Sequence, residues 1–377
     1  MKVVAAIDSF KGSATSAELN QAFFQQISSP ELSLISVPIA DGGEGTMAAI
    51  KAARGGHYQK VTTIDLLGRP LTTEYLVTKI AGVTTAVIES AKIIGLDLIV
   101  PSATTIQQAS SYGLGLVLRQ VITSGCQQIY LSLGGSGTSD GGLGLLAGLG
   151  AKINGQSLNK DNLLNDFREL DLTPIQSLLR QVKLTALVDV DNPYAGPKGF
   201  APVFGPQKGG TATILQSQNQ QAAQVLTVIK QQYQLDLNQL PGAGAAGGLG
   251  GALALIGAKL APGFATISQL VQLPTICQDA DLIITGEGRI DGQTDGGKVP
   301  LGVAELGQQL KIPVVAICGS RAEKIGRLEK LVLGVYCIQS GPVSLATAVD
   351  HQQTLMNVSQ LGVSLLQTFY RKSLRTS

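Results

Sequence analysis

Tryptophan is absent from this 377-residue sequence, aromatic residues make up only 4%, and there are two histidines, His57 and His351. Nucleophile triads built on an imidazole base are therefore improbable. His57 follows Gly55-Gly56, and His351 falls in a predicted C-terminal helix, so both read as surface residues. The four cysteines, Cys126, Cys277, Cys318 and Cys337, are far apart and form no C-x-x-C. With so few histidines that argues against a zinc site and for reduced thiols in a cytoplasmic protein. Charged residues are 14% of the chain, net charge is +2, and no run of Lys or Arg occurs. Nothing marks a nucleic-acid or anionic-membrane surface. Long apolar runs are also missing. Pro241 to Ala258 is the longest uncharged apolar stretch, but it is mostly Gly and Ala. It predicts a closely packed loop and helix rather than a membrane span. The run after Met1 ends at Asp8 and is too short for a signal-peptide core.

Glycine, by contrast, is plentiful: 46 residues, or about one in eight, against a usual ~7%. No Gly-X-Y period appears, so the surplus is not collagenous. It gathers in loops that also carry acids. The clearest runs from Leu131 to Ala151, LSLGGSGTSDGGLGLLAGLGA. A strand from Gln128 to Leu133 leads into a loop holding Ser136, Thr138, Ser139 and Asp140, and a small-residue helix is expected to follow. Such a strand-loop-helix unit can hold an anion on exposed backbone N–H groups. It can equally be a tight turn made of turn residues.

Along the chain, Val3–Ile7 reads as a strand covered on both faces. Thr15-Ser16-Ala17-Glu18 fits a capping box, and Leu19, Phe23 and Ile27 share one face of the helix behind it. A strand at 34–39 and a helix at 47–54 continue a βαβα rhythm, which implies parallel strands. From about Lys60 the rhythm changes. Strands at 61–66 and 72–80 read as an antiparallel pair, followed by a strand at 85–89. A helix is expected over 104–123, apart from Gly113 and Gly115. Strand 184–190, an exposed amphipathic helix at 212–234 and a helix at 266–273 complete the middle section. The βαβ rhythm returns with strands at 281–285, 312–318 and 332–338, and a helix from about Ser344 to Lys372. Neither end alone offers enough strands for a covered sheet. The expected fold is therefore α/β. Residues 1–60 and 282–377 form a Rossmann-like parallel-sheet domain, and residues 61–281 form an inserted α/β domain with a mixed sheet. The cleft between them is the default site.

Asp-Gly-Gly occurs at Asp41, Asp140 and Asp295, and Asp8 and Asp189 stand at strand ends. One copy is a favoured turn pair; three copies with further strand-end acids point to a shared site, since ligands of parallel sheets bind at strand carboxyl ends. Carboxylates can hold Mg²⁺, which usually accompanies phosphates. Lysines in glycine loops, here Lys11, Lys208 and Lys298, can neutralise charge on a transferred group, while an Asp takes a hydroxyl proton. Two patterns fail their tests. Gly292 to Lys298 matches G-x-x-x-x-G-K, but Val299 stands where a P-loop needs Ser or Thr. Gly242 to Gly247 matches G-x-G-x-x-G, but Asn238 to Pro241 before it is no clear strand, so a dinucleotide site lacks its context.

Several of these motifs together resemble the type 1 glycerate kinase family. They are Asp8-Ser9-Phe10-Lys11-Gly12-Ser13, Pro38 to Thr46, Ile88-Glu89 with Gly95-Leu96, Ser111-Tyr112-Gly113 and the Leu131–Ala151 loop. Asp189-Val190-Asp191-Asn192-Pro193, Phe204 to Gly209, Gly244 to Gly248, Ile284 to Gly288 and Gly297-Lys298 complete the set. The blocks span nearly the whole chain in order, and their specificity lies in that order. The chain departs from the family pattern at Gly137, Ser139, Leu114, Leu116 and Val188, positions that bear on substrate detail and regiochemistry.

The resemblance implies ATP-dependent phosphorylation of D-glycerate, chiefly at the 2-hydroxyl, with ATP and Mg²⁺ as co-substrate and cofactor. The alternatives are a 3-phosphoglycerate-forming enzyme, a kinase of another small hydroxy acid, and, remotely, an NAD-dependent oxidoreductase. On this reading Asp189 is the general base, and Lys11 and Lys298 assist phosphoryl transfer. Asp41, Glu44 and Asp291 are expected metal ligands. Ser9, Lys11, Gly134, Gly135, Ser136, Thr138, Asp140, Asn192, Lys208, Glu287 and Arg289 are expected to contact substrate or phosphate. The expected partners are small molecules alone, with no nucleic acid and no membrane; assembly into a homo-oligomer is left open.

Overall fold

The computed structural model describes residues 1–27, 29–156, 161–180 and 182–374, with side chains except at 293, 295 and 370–374. Its strands are β1 Lys2–Ile7, β2 Ser33–Ser36, β3 His57–Ile64, β4 Pro70–Ile80, β5 Val83–Glu89, β6 Gln128–Ser132 and β7 Lys152–Ile153. They continue with β8 Leu170–Asp171, β9 Lys183–Val188, β10 Lys259–Pro262, β11 Leu282–Ile290, β12 Val314–Arg321 and β13 Gly334–Cys337. The chain divides into two compact units. One comprises Met1–Asp41, Ala48–Arg54 and Phe264–Ser377, and the other Gly42–Met47 and Gly55–Gly263. No helix among the described residues is long and apolar enough to cross a membrane.

In the first unit five strands form one sheet in the order β13-β12-β11-β1-β2, and every pairing is parallel. Numbered within the unit, that order is 2-1-3-4-5 read from the β2 edge. It is a doubly wound arrangement whose strand order reverses between β1 and β11. Val3 to Ile7 are fully buried because β1 is flanked by strands and covered on both faces. Val3, Ala5, Ile7, Leu282, Ile284, Val315 and Ile317 pack against Leu19 and Phe23 of the Ser16–Phe24 helix and Val358, Leu365 and Leu366 of the His351–Leu374 helix. The opposite face carries the Val299–Leu310 helix, where Gly307 leaves room for the Val314 side chain. The expected capping box is present: Thr15 accepts from the Glu18 N–H, and the Glu18 carboxylate accepts from Thr15 N–H at 2.9 Å. The end of β1 is pinned by polar side chains. Ile7 N–H donates to Asn20 Oδ1 (3.0 Å), and Ser16 Oγ donates to Ile7 O (2.5 Å) while accepting from Ile39 N–H (2.9 Å). Asp8 and Ser9 therefore leave the sheet from a fixed point.

In the second unit β3, β4 and β5 are antiparallel, and β5, β6, β9 and β10 are parallel, giving a mixed sheet in the order β10-β9-β6-β5-β4-β3. A two-stranded ribbon, β7 with β8, stands apart. The 22-residue helix Ala212–Tyr233 buries Gln218, Ala222, Val225 and Ile229, one stripe at helical spacing, and exposes Gln216, Gln220, Gln224, Gln231 and Gln232.

Three sequence expectations change here. The inserted segment is shorter than 61–281. It begins at Gly55 because β3 starts at His57, and it ends at Gly263 because the next helix packs in the first unit. There the Phe264 ring fills the space over Gly302, and Arg54 Nε donates to Leu270 O at 2.5 Å. β11 runs on through Gly286 and Gly288 to Ile290 instead of ending at Thr285. Finally, Gly113 and Gly115 do not interrupt a helix. They lie inside Tyr112–Thr123, and the break falls earlier, between Gln108 and Tyr112. A Cβ at Gly113 would fall on the Ile64 carbonyl oxygen, and one at Gly115 on the Leu145 carbonyl oxygen. Glycine is there to let backbones approach. Gly113→Ala is accordingly expected to destabilise the fold by about 1–3 kcal/mol through overpacking, read as a lowered urea midpoint with unchanged m-value.

Candidate active site

The first unit has a pocket of about 380 Å³ at the carboxyl ends of its strands. Asp8, Ser9, Lys11 and Ser13 follow β1, Glu287, Gly288 and Arg289 belong to the end of β11, and Gly319 and Ser320 to the end of β12. Asp41 and Lys298 complete its polar lining, and Leu345 and Val349 give it an apolar side. This is the crevice where β1 meets β11, the topological switch point at which doubly wound sheets bind ligands.

The electrostatics of the pocket follow from crowding three carboxylates with two lysines. Asp8 is buried, and burial together with the neighbouring Asp41 carboxylate holds its carboxyl well above the usual carboxylate range. Glu287 is raised by burial as well, opposed by the Thr294 hydroxyl and the Lys298 ammonium. Thr294 Oγ1 donates to Glu287 Oε1 at 2.5 Å, and Lys298 Nζ lies 3.1 Å from Glu287 Oε2. Lys298 precedes the Val299–Leu310 helix, with Pro300 in its first turn. It thus combines a side-chain cation with a helix N-terminus.

In the second unit a pocket of about 330 Å³ opens beyond β6 and β9. Gly134, Gly135 and Ser136 line one side and Val188, Asp189 and Val190 another. Leu96, Leu133, Leu187, Phe204, Ala245 and Ala246 make much of the wall apolar, while Gln207 and Lys208 add polar groups. Asp189 is solvent-exposed, and its Oδ1 accepts from Gly263 N–H at 3.1 Å. Gly42 brings backbone close to the Asp189 carboxylate and Gly43 brings it close to Gly134, approaches that a larger residue would obstruct. Lys208 is only 2% exposed. Its Nζ donates to Thr138 O at 2.5 Å and reaches Ser136 Oγ at 3.4 Å, and burial pushes the ammonium down to about 8. Thr138 Oγ1 is buried with no hydrogen-bond partner. Ala246 holds φ of +54°, a left-handed conformation costly for a residue with a Cβ, in the wall of this pocket.

Most of the residues singled out from sequence line one pocket or the other: Ser9, Lys11, Asp41, Glu287, Arg289 and Lys298 in the first unit, and Gly134, Gly135, Ser136, Lys208 and Asp189 in the second. Others do something different. Asp140 is fully buried and accepts from Ser111 N–H (2.7 Å), Ser111 Oγ (2.7 Å), Gly142 N–H (3.0 Å) and Gly144 N–H (3.2 Å). It braces the loop from behind. Thr138 is buried and meets Lys208 through its carbonyl. Asn192 ties its own turn, donating to Lys198 O at 2.9 Å and accepting Gly244 N–H on its carbonyl at 2.9 Å. The expected trio Asp41, Glu44 and Asp291 does not assemble. Glu44 is exposed and its charge acts on the buried Glu89, which accepts Met47 N–H at 2.8 Å. Asp291 pairs with Arg289 Nε at 3.1 Å. Among the described residues no group of three His, Cys, Asp or Glu stands ready to hold a metal ion. The Asp295 side chain lies outside the described residues.

Asp8 stands out in the sequence as a strand-end acid but carries no assigned role there; in the fold it lines the first unit's pocket. Phe204 and Ala246 stand in matched blocks, but nothing in those blocks assigns them to a pocket wall. The dinucleotide reading of Gly242 to Gly247 is excluded, since a 3₁₀ turn at Leu237–Gln239 precedes it where a strand is required.

Glycine loops, lysines and strand-end carboxylates in parallel α/β sheets define an enzyme that handles small anionic substrates and phosphate. The comparisons with known proteins agree. The glycerate kinase family model matches residues 3–367. A glycerate kinase of Halalkalibacterium halodurans is 38% identical, over 98% of this chain and 99% of its own length. The glycerate 2-kinase of Escherichia coli is 36% identical, over 86% and 87%. The crystal structure of the Salmonella typhimurium LT2 protein assigned as glycerate kinase 2 superposes with a TM-score of 0.84 at 32% identity, covering 99% of each chain. The chain belongs to the glycerate kinase family. It is a kinase, with ATP as the phosphoryl donor.

Proposed function

We propose that the enzyme phosphorylates D-glycerate at the 2-hydroxyl, giving 2-phosphoglycerate and ADP. The observation that carries this reading is Asp189, an exposed carboxylate at the end of β9, held by the Gly263 N–H in the wall of a pocket that also offers Lys208 and the Gly134–Ser136 backbone. The relative named glycerate 2-kinase supports the choice of hydroxyl.

Asp189 accepts the proton of the attacking hydroxyl as it bonds to phosphorus. Lys208 and the N–H groups of the Gly134–Ser136 turn neutralise the substrate carboxylate. In the first unit's pocket, Lys11 and Lys298 balance the charge of the polyphosphate. Asp8 and Asp41 are the residues there that would hold Mg²⁺. The repulsion that the Asp41 carboxylate exerts on Asp8 is relieved by a cation, and Mg²⁺ is commonly held by one or two carboxylates with phosphate oxygens completing its shell. When bound, the ion would neutralise phosphate charge. Arg289 and Ser9 line the same pocket and are assigned to phosphate contact.

One assay separates the alternatives. The protein is incubated with ATP, Mg²⁺ and D-glycerate and coupled to enolase with no phosphoglycerate mutase present. The expected result is a phosphoenolpyruvate signal equal to ADP formed. ADP without that signal assigns the 3-hydroxyl. No ADP with glycerate, but ADP with another small hydroxy acid, replaces the substrate.

A further inference from the structure

Four cysteines are scattered along the chain, yet two of them meet in the fold. Cys318 of β12 and Cys337 of β13 are register partners on adjacent parallel strands. Register partners project to the same face of a sheet, and neighbouring strands lie ~4.8 Å apart. That separation is inside the ~4.4–6.8 Å Cα window a disulfide requires. Cys318 Sγ donates to Tyr336 O at 3.8 Å, the carbonyl of the residue just before Cys337. The surroundings differ. Cys318 is fully buried, while Cys337 is exposed on the edge strand. Cys337 Sγ donates to Gly319 O at 3.0 Å, and Gly319 with Ser320 forms part of the first unit's pocket wall. Cys126 and Cys277 are buried, and neither is a register partner of another cysteine.

We infer that Cys318 and Cys337 form an oxidation site, converted by a peroxide to an intrachain disulfide that alters the Gly319–Ser320 wall of the pocket. The exposed Cys337 reacts first. Its thiolate attacks a peroxide oxygen, the O–O bond breaks, hydroxide leaves, and Cys337 becomes a sulfenic acid. Cys318 sulfur then attacks the Cys337 sulfur. The S–S bond forms, the S–O bond breaks, and the oxygen leaves as water with the Cys318 proton. Two thiols are oxidised and one peroxide is reduced to water. The order is set by access and ionisation, since burial pushes the Cys318 thiol up to about 12 and leaves it the poorer first nucleophile. The disulfide removes the S–H···O bond to Gly319, so the oxidised pocket differs from the reduced one at a defined atom. The activity consequence rests on the proposed assignment of that pocket to ATP; the disulfide itself does not.

The test uses the full chain. Protein freed of reductant is treated with hydrogen peroxide, alkylated under denaturing conditions and digested without reduction. The expected product is one crosslinked peptide pair containing Cys318 and Cys337, with Cys126 and Cys277 alkylated. ADP formation by the oxidised enzyme should fall about tenfold, the equivalent of ~1.4 kcal/mol, and return with dithiothreitol. Cys337→Ser, a change at an exposed thiol, should neither crosslink nor lose activity reversibly. Absence of the crosslink, with Cys337 driven to sulfinic acid instead, overturns the site. A crosslink that leaves turnover unchanged overturns the coupling to the pocket. The reduced enzyme, assayed in parallel, reports separately whether the ATP-dependent reaction itself occurs.

Discussion

Asp189→Asn is expected to lower kcat by about 10²–10⁴-fold, the usual contribution of a positioned general base. The substitution is chosen because it removes basicity and almost nothing else. The carboxamide keeps an oxygen where Asp189 Oδ1 accepts Gly263 N–H at 3.1 Å, so the turn after β9 retains its tie. The residue is exposed, and exposed positions away from buried networks shift stability by only a few tenths of a kcal/mol. Steady-state kinetics with thermal unfolding of the same preparations form the check. A large fall in kcat with an unchanged unfolding midpoint assigns the base. Near-normal turnover removes Asp189 from that role and shifts attention to Asp8, the other strand-end acid in a pocket.

Lys208→Met is expected to raise the KM for glycerate about 10–100-fold, the worth of ~1.5–3 kcal/mol for a charge-assisted contact. Its pH behaviour distinguishes it from a simple packing lesion. The native ammonium titrates near pH 8 and the unfolded one near 10.5. Between those values the unfolded chain binds more protons than the native one, so wild-type stability rises with pH across that window. Below pH 8 the buried charge costs the fold up to about 3 kcal/mol, by the conversion of 1.36 kcal/mol per pKa unit. The stability difference between Lys208→Met and wild type should therefore shrink by up to that amount from pH 7 to pH 10, measured by urea unfolding. Meanwhile wild-type kcat/KM for glycerate should fall above pH 8 as the charge is lost, and the variant should show no such limb. A variant profile that keeps the limb would place the titrating group elsewhere.

The parts of the fold that were legible are those where one force dominates. The unbroken Val3–Ile7 run can only be a doubly covered strand, and the Thr15–Glu18 box starts a helix whatever surrounds it. Gly113 and Gly115 were misread because glycine in a sequence window looks like a break. Only the approach of Ile64 and Leu145 reveals that its missing Cβ is what matters. Side-chain direction was the main obstacle at the site. Asp41, Asp140 and Asp295 share one motif, yet Asp41 lines a pocket while Asp140 turns inward to four donors. Two residues separate Asp41 from Glu44, and nothing in that spacing says that one faces the first unit's pocket and the other acts on Glu89. Loop acids can be located from sequence, but the hydrogen-bond partners that decide their orientation come from distant segments such as Ser111.

The placement of β1 between β2 and β11 has a consequence for synthesis on the ribosome. The bond from Thr285 Oγ1 to Ala6 O joins residues 279 apart. β1 is thus completed by a segment that emerges long after it. Non-local pairing of this kind slows folding. The segment kept waiting is VVAAI, apolar on both faces and a ready template for wrong pairing. The residues from Gly55 to Gly263 hold a sheet and core of their own and can collapse while the nascent chain is still growing. Folding order therefore runs opposite to sequence order around β1, which needs shielding until β11 emerges.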